Sequence, residues 1–266
     1  AILAESAGAK DTIYAREMMP DLPSIRATGS FTPDSRIALA DQVDPGFADL
    51  WERMARISLK RFGSLQGLAG DPVRWIDRYL VSDGPSAARQ AVPGELQFAS
   101  YFSRLRDVFP RAETLPPGAT SFGEATVRRE SNIMFNLASY TDTLLTNFRG
   151  AGGRIERREF HSPADLAALP EKVVINCSGL GARALFGDRA VVPVRGQIAW
   201  LIPQREFDYG LYYRGVNVVP RTDGICVQAL SGGDMRGYGE DSLMPNRQEA
   251  EESVAALAEL YSRVQV

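Results

Sequence analysis

Residues 173–187 read VVINCSGLGARALFG. An apolar run, Val173, Val174 and Ile175, leads into Gly179-Leu180-Gly181-Ala182-Arg183-Ala184, which fits the spacing G-x-G-x-x-A. Such spacing marks a turn that follows a strand and opens a helix, so that backbone N–H groups can face a pyrophosphate. KVVINC (172–177) is accordingly predicted as a strand. A dinucleotide-binding fold usually carries this turn at its first strand–helix junction. Here it falls past the middle of the chain, and its meaning depends on what flanks it.

Upstream, AILAESAGAK reads as the end of a helix stopped by Gly8, followed by a strand, DTIYA, with Arg16-Glu17 at its carboxyl end. A helix feeding a strand is half of a βαβ unit. The expectation is therefore a chain that begins inside a domain, its first strand and turn lying before residue 1. Residues 47–62 place Phe47, Leu50, Trp51, Met54 and Ile57 at helical spacing. A second helix is predicted from Ser139, as cap, to Gly150. GGRIERREF is a strand candidate, and Ser162-Pro163 starts a short helix.

Downstream, PVRGQIAWLIP, GLYYRGVNVVPR and GICVQAL read as consecutive antiparallel strands, the last two joined at an Asp-Gly turn. Alternation along GLYYRGVNVVPR puts Tyr213 and Asn217 on one face, and Tyr212 and Arg214 on the other. A last helix spans 246–264, with Asn246 as cap, Glu249 three residues on, and an apolar stripe from Ala250 to Val264. The expected fold class is α/β with α+β elements: a Rossmann-like domain beside a mainly antiparallel sheet, both expected to be incomplete at the ends of the chain.

Composition narrows the chemistry. With 30 Lys plus Arg against 33 Asp plus Glu, the net charge is −3. Mixed charge without a basic patch points away from nucleic acid and from a membrane surface, and no run nears the ~20 apolar residues of a membrane span. Cys177 and Cys226 read as buried free thiols with no disulfide. The single histidine, His161, excludes histidine triads and histidine metal clusters, and no metal is expected. Hard chemistry would have to come from an organic cofactor.

Taken together, TIYARE, IRATGSFTPDSR, GGRIERREF, VVINCSGLGARALFG, VPVRGQ and VVPRTDG resemble, in order and spacing, the FAD-dependent D-amino-acid oxidase family, which includes D-aspartate oxidase. The resemblance implies FAD as cofactor, a D-amino acid and dioxygen (O2) as small-molecule partners, and a 2-oxo acid, ammonia and hydrogen peroxide as products. It makes the Gly179 turn a second FAD contact, the first phosphate-binding turn preceding residue 1. It also implies a cofactor domain at 1–60 and 130–195 and a substrate domain at 61–129 and 196–266. The expected location is the cytoplasm, or the periplasm if a leader precedes the chain, with a homodimer left open.

Carried onto this sequence, the family pattern gives Arg16 and Glu17 to the ribose, and Arg26, Ala27, Thr28, Gly29 and Ser30 to the pyrophosphate and flavin. Phe160 would touch adenine through its backbone, and Ser178, Gly179 and Gly181 would line the late turn. Tyr213 aligns with an active-site tyrosine. Asn217 stands where the family has a second tyrosine, so the substrate preference does not carry over. Arg214 is a candidate partner for an acidic side chain. The family's carboxylate-binding arginine would follow residue 266. Alternatives are a glycine or sarcosine oxidase-like enzyme, and a non-catalytic FAD-binding relative or fragment. An NAD dehydrogenase fits poorly, since antiparallel strands follow the turn.

Overall fold

A computed structural model describes residues 1–84, 95–123, 125–231 and 233–264. In chain order the elements are α1 (Ile2–Ser6), β1 (Thr12–Ala15), α2 (Phe47–Gly63), β2 (Val73–Ser82), β3 (Glu113–Thr114) and β4 (Thr126–Phe135). There follow α3 (Leu137–Gly150), β5 (Arg154–Arg157), α4 (Pro163–Ala167) and α5 (Gly181–Phe186). The remainder are β6 (Ile198–Leu201), β7 (Gly210–Tyr213), β8 (Val216–Arg221), β9 (Gly224–Ala229) and α6 (Arg247–Ser262). None of the described helices is long and apolar enough to cross a membrane. The chain divides into two compact units. Unit 1 comprises Ala1–Arg26, Thr141–Arg195 and Gly237–Leu243; unit 2 comprises Ala27–Tyr140, Gly196–Arg236 and Met244–Val266.

Unit 1 is built around β1 and β5, which pair in parallel with Thr12 beside Arg154 and Ala15 beside Arg157. Helix α1 ends as its sequence predicts. Gly8 takes a φ of 87°, its N–H bonds the Glu5 carbonyl, and the Ala9 N–H reaches back to Ala4. This double closure needs a left-handed residue, which glycine supplies without a Cβ clash. Helix α4 has Ser162 and Asp165 in a reciprocal capping box with Pro163 at the first turn.

The expected strand 172–177 does not form. The segment is irregular, and Val173, Val174 and Ile175 are exposed. A strand is satisfied only by a neighbour's backbone groups, and among the described residues β1 and β5 pair only with each other. Cys177 is exposed rather than buried for the same reason, whereas Cys226 is buried.

Unit 2 carries a seven-stranded sheet in the order β3-β4-β2-β7-β8-β9-β6. Every pairing is antiparallel except β2 with β7. Helix α6 lays Leu257 and Leu260 on one face, over Val81, Leu211, Tyr213, Val218 and Val227. Its N-cap is Asn246, as the sequence predicts. The Asn246 side chain accepts from the Glu249 N–H, while the Glu249 carboxylate leaves the cap to pair with Arg236.

Three expectations shift. GLYYRGVNVVPR is two strands, not one: Arg214 and Gly215, at φ 46° and 76°, form a tight hairpin turn between β7 and β8. Left-handed geometry at both central residues matches the strands' twist. Helix α3 starts at Leu137 rather than after Ser139, with the Asn136 carbonyl accepting the first bond from Tyr140. Helix α2 turns Trp51 and Ala55 inward, packed with Phe47 and Leu59, and leaves Leu50, Met54 and Ile57 exposed.

Candidate functional site

In unit 1 the parallel pairing sets the carboxyl ends of β1 and β5 side by side. Arg16 and Glu17 follow β1, and Arg158, Glu159 and Phe160 follow β5. Arg16 pairs with Glu17 at 2.5 Å and with Glu159 at 3.3 Å, and Arg157 donates to the Arg16 carbonyl. Beside them the Tyr14 and Phe160 rings meet edge to face at 5.8 Å. The Arg158 guanidinium lies 5.9 Å from the first ring centroid and 5.2 Å from the second. Burial, then the Glu171 carboxylate that accepts from its hydroxyl, raises the Tyr14 pKa.

The glycine turn of unit 1 has its own scaffold. The Asn176 side-chain oxygen accepts from both the Ser178 N–H (3.0 Å) and the Ser178 hydroxyl (2.7 Å). Gly179 then takes a φ of 55°, and α5 opens at Gly181. Nothing lies within 4 Å of where a Gly179 side chain would start, so the backbone here is open to approach. Arg26 ends a 3-10 turn, Pro23–Arg26, and is exposed.

In unit 2, Ala27–Ser30 runs against the end of β4. The Gly29 carbonyl accepts from Phe135 N–H, Ser30 bridges Met134, and Phe31 N–H donates to Ile133. Gly29 has a φ of 86°, and a Cβ there would overlap the Phe135 carbonyl. The segment is fixed from behind by Arg221, whose side chain is wholly buried. Its guanidinium donates to the Ala27 carbonyl at 2.7 Å, chelates Asp223 at 2.6 and 2.9 Å, and lies over the Trp200 ring. A buried cation is tolerable only with such partners. Sequence reading missed Arg221, because neither its burial nor its distant carbonyl partner leaves a local signal.

The hairpin corrects the expected faces. Register sets Tyr212 opposite Asn217, and Tyr213 opposite Val216. Tyr213 packs under α6 with no exposed surface, and its hydroxyl donates to Asp83 at 2.7 Å. Burial first, and then Asp83, raises the Tyr213 pKa; the same hydrogen bond, with Arg214, lowers that of Asp83. Arg214 is held by Asp83 and by Glu259. Asn217 lies on the opposite face, where its side-chain oxygen accepts from Arg78 at 3.1 Å. Arg78 also pairs with Glu130 at 2.8 Å and covers the Tyr212 ring. The structure thus joins Asn217 to Arg78, Glu130 and Tyr212, and joins Tyr213 to Arg214.

Comparison with known proteins identifies the class. Residues 12–266 match the FAD dependent oxidoreductase family, and the chain belongs to it. It is 33% identical over 184 residues to a D-amino-acid oxidase of Rubrobacter xylanophilus, an alignment covering 66% of this chain and 52% of that protein. A D-amino-acid oxidase of Dictyostelium discoideum is 34% identical over 110 residues, 41% of this chain and 30% of that one. The chain therefore spans about half the length of the first relative and less of the second. Among solved structures, the fold is similar to iminodiacetate oxidase from Chelativorans sp. BNC1, with a TM-score of 0.63 at 11% identity, covering 98% of this chain and 75% of that one. It is also similar to glycine oxidase from Geobacillus kaustophilus, with a TM-score of 0.58 at 12% identity, covering 99% and 73%.

The chemistry of the unit 1 groups suits FAD. An acidic side chain at a strand end can accept from ribose hydroxyls, a guanidinium over aromatic rings offers a flat cationic surface, and the open Gly179 backbone admits close approach. Among the described residues, no group of three or more His, Cys, Asp or Glu could hold a metal ion.

Proposed function

We propose that the protein carrying this chain is an FAD-dependent oxidase that deaminates D-amino acids. The observation that carries the reading is the 33% identity over 184 residues to a D-amino-acid oxidase. FAD supplies the two-electron acceptor: the amine is oxidised to an imine that water hydrolyses to a 2-oxo acid and ammonia, and dioxygen is reduced to hydrogen peroxide.

Within the proposal, Glu17 accepts from the ribose, with Arg16 holding its carboxylate in place. The Phe160 backbone and Arg158 flank adenine. Gly179 offers its backbone, with Ser178 and Gly181, whose amides are bonded within the turn, shaping it, while Arg26 offsets phosphate charge. Ala27–Ser30, pinned by Arg221, presents small residues to the flavin. Asn217, oriented by Arg78, is the polar contact for the amino acid. Tyr213, its hydroxyl committed to Asp83, acts as a positioning residue that sets the β7–β8 hairpin, and Arg214 shares that task. The division into a cofactor domain (1–60 and 130–195) and a substrate domain (61–129 and 196–266) belongs to the same proposal.

The test is a FAD titration of the chain, followed by anaerobic addition of D-alanine, glycine and iminodiacetate in separate samples. The expected result is saturable FAD binding with shifted visible bands, and bleaching fastest with D-alanine. Bleaching by glycine or iminodiacetate alone would replace the D-amino acid reading with a small-amine one. Bound FAD that no amine bleaches would make the chain a binding module.

A further inference from the structure

Unit 2 holds a concave feature that shares Arg78 and Glu130 with the Asn217 cluster but whose other lining residues the cofactor and amine assignments leave unused. A cleft of about 720 Å³ opens beside β4, its lining including Phe31, Phe102 and Phe109 together with Arg106, Arg111 and Arg128. Arg106 follows a 3-10 turn (Phe102–Leu105), Arg111 lies in the next loop, and Arg128 stands on β4. Three separate pieces of chain thus contribute an exposed arginine to the lining of one cleft.

The charges at this cleft are unbalanced in an informative way. Its carboxylates are already committed: Asp34 accepts from the Ser100 hydroxyl at 2.5 Å and the Tyr101 N–H at 2.6 Å, and Glu130 pairs with Arg78. Among the described residues, the Arg106, Arg111 and Arg128 guanidinium groups have neither a hydrogen-bond nor an ion-pair partner. Neighbouring arginines do: Arg56 pairs with Asp107, Arg104 with Asp49, and Arg129 with Glu113. In a chain of net charge −3, carboxylates are not scarce. Unpaired cations converging on a concavity with low-dielectric aromatic walls focus a positive potential there. Guanidinium forks match the oxygens of carboxylate and phosphate.

We propose that this cleft binds a small organic acid bearing two or more oxyanion groups, carboxylate or phosphate, with its apolar stem against Phe31, Phe102 and Phe109. The argument for this site does not use the oxidase reading, although the cleft adjoins the residue assigned to the amine: Arg78 lines it and also donates to Asn217.

Calorimetric titration of the chain at fixed ionic strength, without FAD or amine, tests the site directly. The probes are glutarate, glycerol phosphate and inorganic phosphate. One-site saturation by glutarate or glycerol phosphate is expected, weakened roughly tenfold or more in Arg106→Ala and in Arg128→Ala, as loss of a charge-assisted hydrogen bond implies. Arg53→Ala, outside the cleft, serves as the control and should bind as the parent does. The tighter of the two organic acids names the oxyanion. Absence of saturation with both, unchanged affinity in the folded Arg106→Ala/Arg128→Ala double variant, or equal binding of inorganic phosphate would overturn the proposal. Since no oxidation is measured, its failure is distinct from failure of the oxidase reading.

Discussion

Two apolar stretches of this chain have opposite fates. Val218-Val219-Pro220 within β8 lies between β7 and β9, and all six residues of that strand are buried. Val173-Val174-Ile175 is just as apolar and leads into the more recognisable motif, yet these residues are 47–78% exposed and no strand forms. The difference is the neighbour. Strand propensity records fit to a pleated, half-covered surface rather than a preference of the backbone itself. One stretch has strands on both sides and the other has none among the described residues.

The widest gap between the two regions should appear in thiol chemistry. Burial pushes the Cys226 thiol up to about 12, which leaves on the order of one molecule in ten thousand as thiolate at pH 8. Cys177 is exposed. Iodoacetamide with mass spectrometry should therefore modify Cys177 readily and Cys226 only after denaturation. Equal protection of both would mean that 172–177 is covered in solution.

Core truncation comes next. Leu211→Ala, at a site with no exposed surface, should cost about 2–5 kcal/mol. Ile175→Ala should stay within about 0.5 kcal/mol. Urea unfolding followed by circular dichroism compares them. Turn glycines give a smaller contrast. At Gly215 (φ 76°) a Cβ would press on Ser231 backbone at 3.1 Å, so Gly215→Ala should cost about 1–3 kcal/mol. Gly179→Ala meets no neighbour and should cost about 1 kcal/mol.

The subtlest effect is on pH dependence. The Tyr213 hydrogen bond and Arg214 lower the pKa of Asp83 in the fold. A carboxylate with a lowered folded pKa contributes stability above its unfolded pKa and loses it as the pH falls through the folded value. Asp83→Asn should therefore melt earlier at neutral pH and show a flatter acid limb than the parent, with the two curves converging at low pH. Parallel curves would remove Asp83 from the hairpin's support.

Signals confined to a few adjacent residues could be read from sequence. The Ser162-Pro163 start, the Asn246 cap, the Gly8 stop and β1 all depend on local backbone chemistry. What escaped depends on distant partners. Asn136, not Ser139, opens α3 because its amide is held between the Asp71 carbonyl and the Thr222 N–H. Arg214 turns a hairpin that no Asn-Gly or Asp-Gly pair announces, its side chain anchored on Asp83 and Glu259. Helix α2 offers two apolar stripes, and only the packing of Trp51 and Ala55 selects one. For the candidate site, the residues at the two strand ends and the glycine turn were legible as motifs. Arg78 and Arg221 were not, since a lone arginine inside a strand carries no mark of what it will hold.

The bond from Arg221 to the Ala27 carbonyl spans 194 residues. During synthesis, at about 5–20 residues per second, the segment 27–30 therefore waits roughly 10–40 s for its clamp to leave the ribosome. Until then its buried glycine and the end of β4 are without their rear support. Unit 2 therefore closes this contact only after its late segment has been made, so its first-made loop takes its final support from one of its last-made strands.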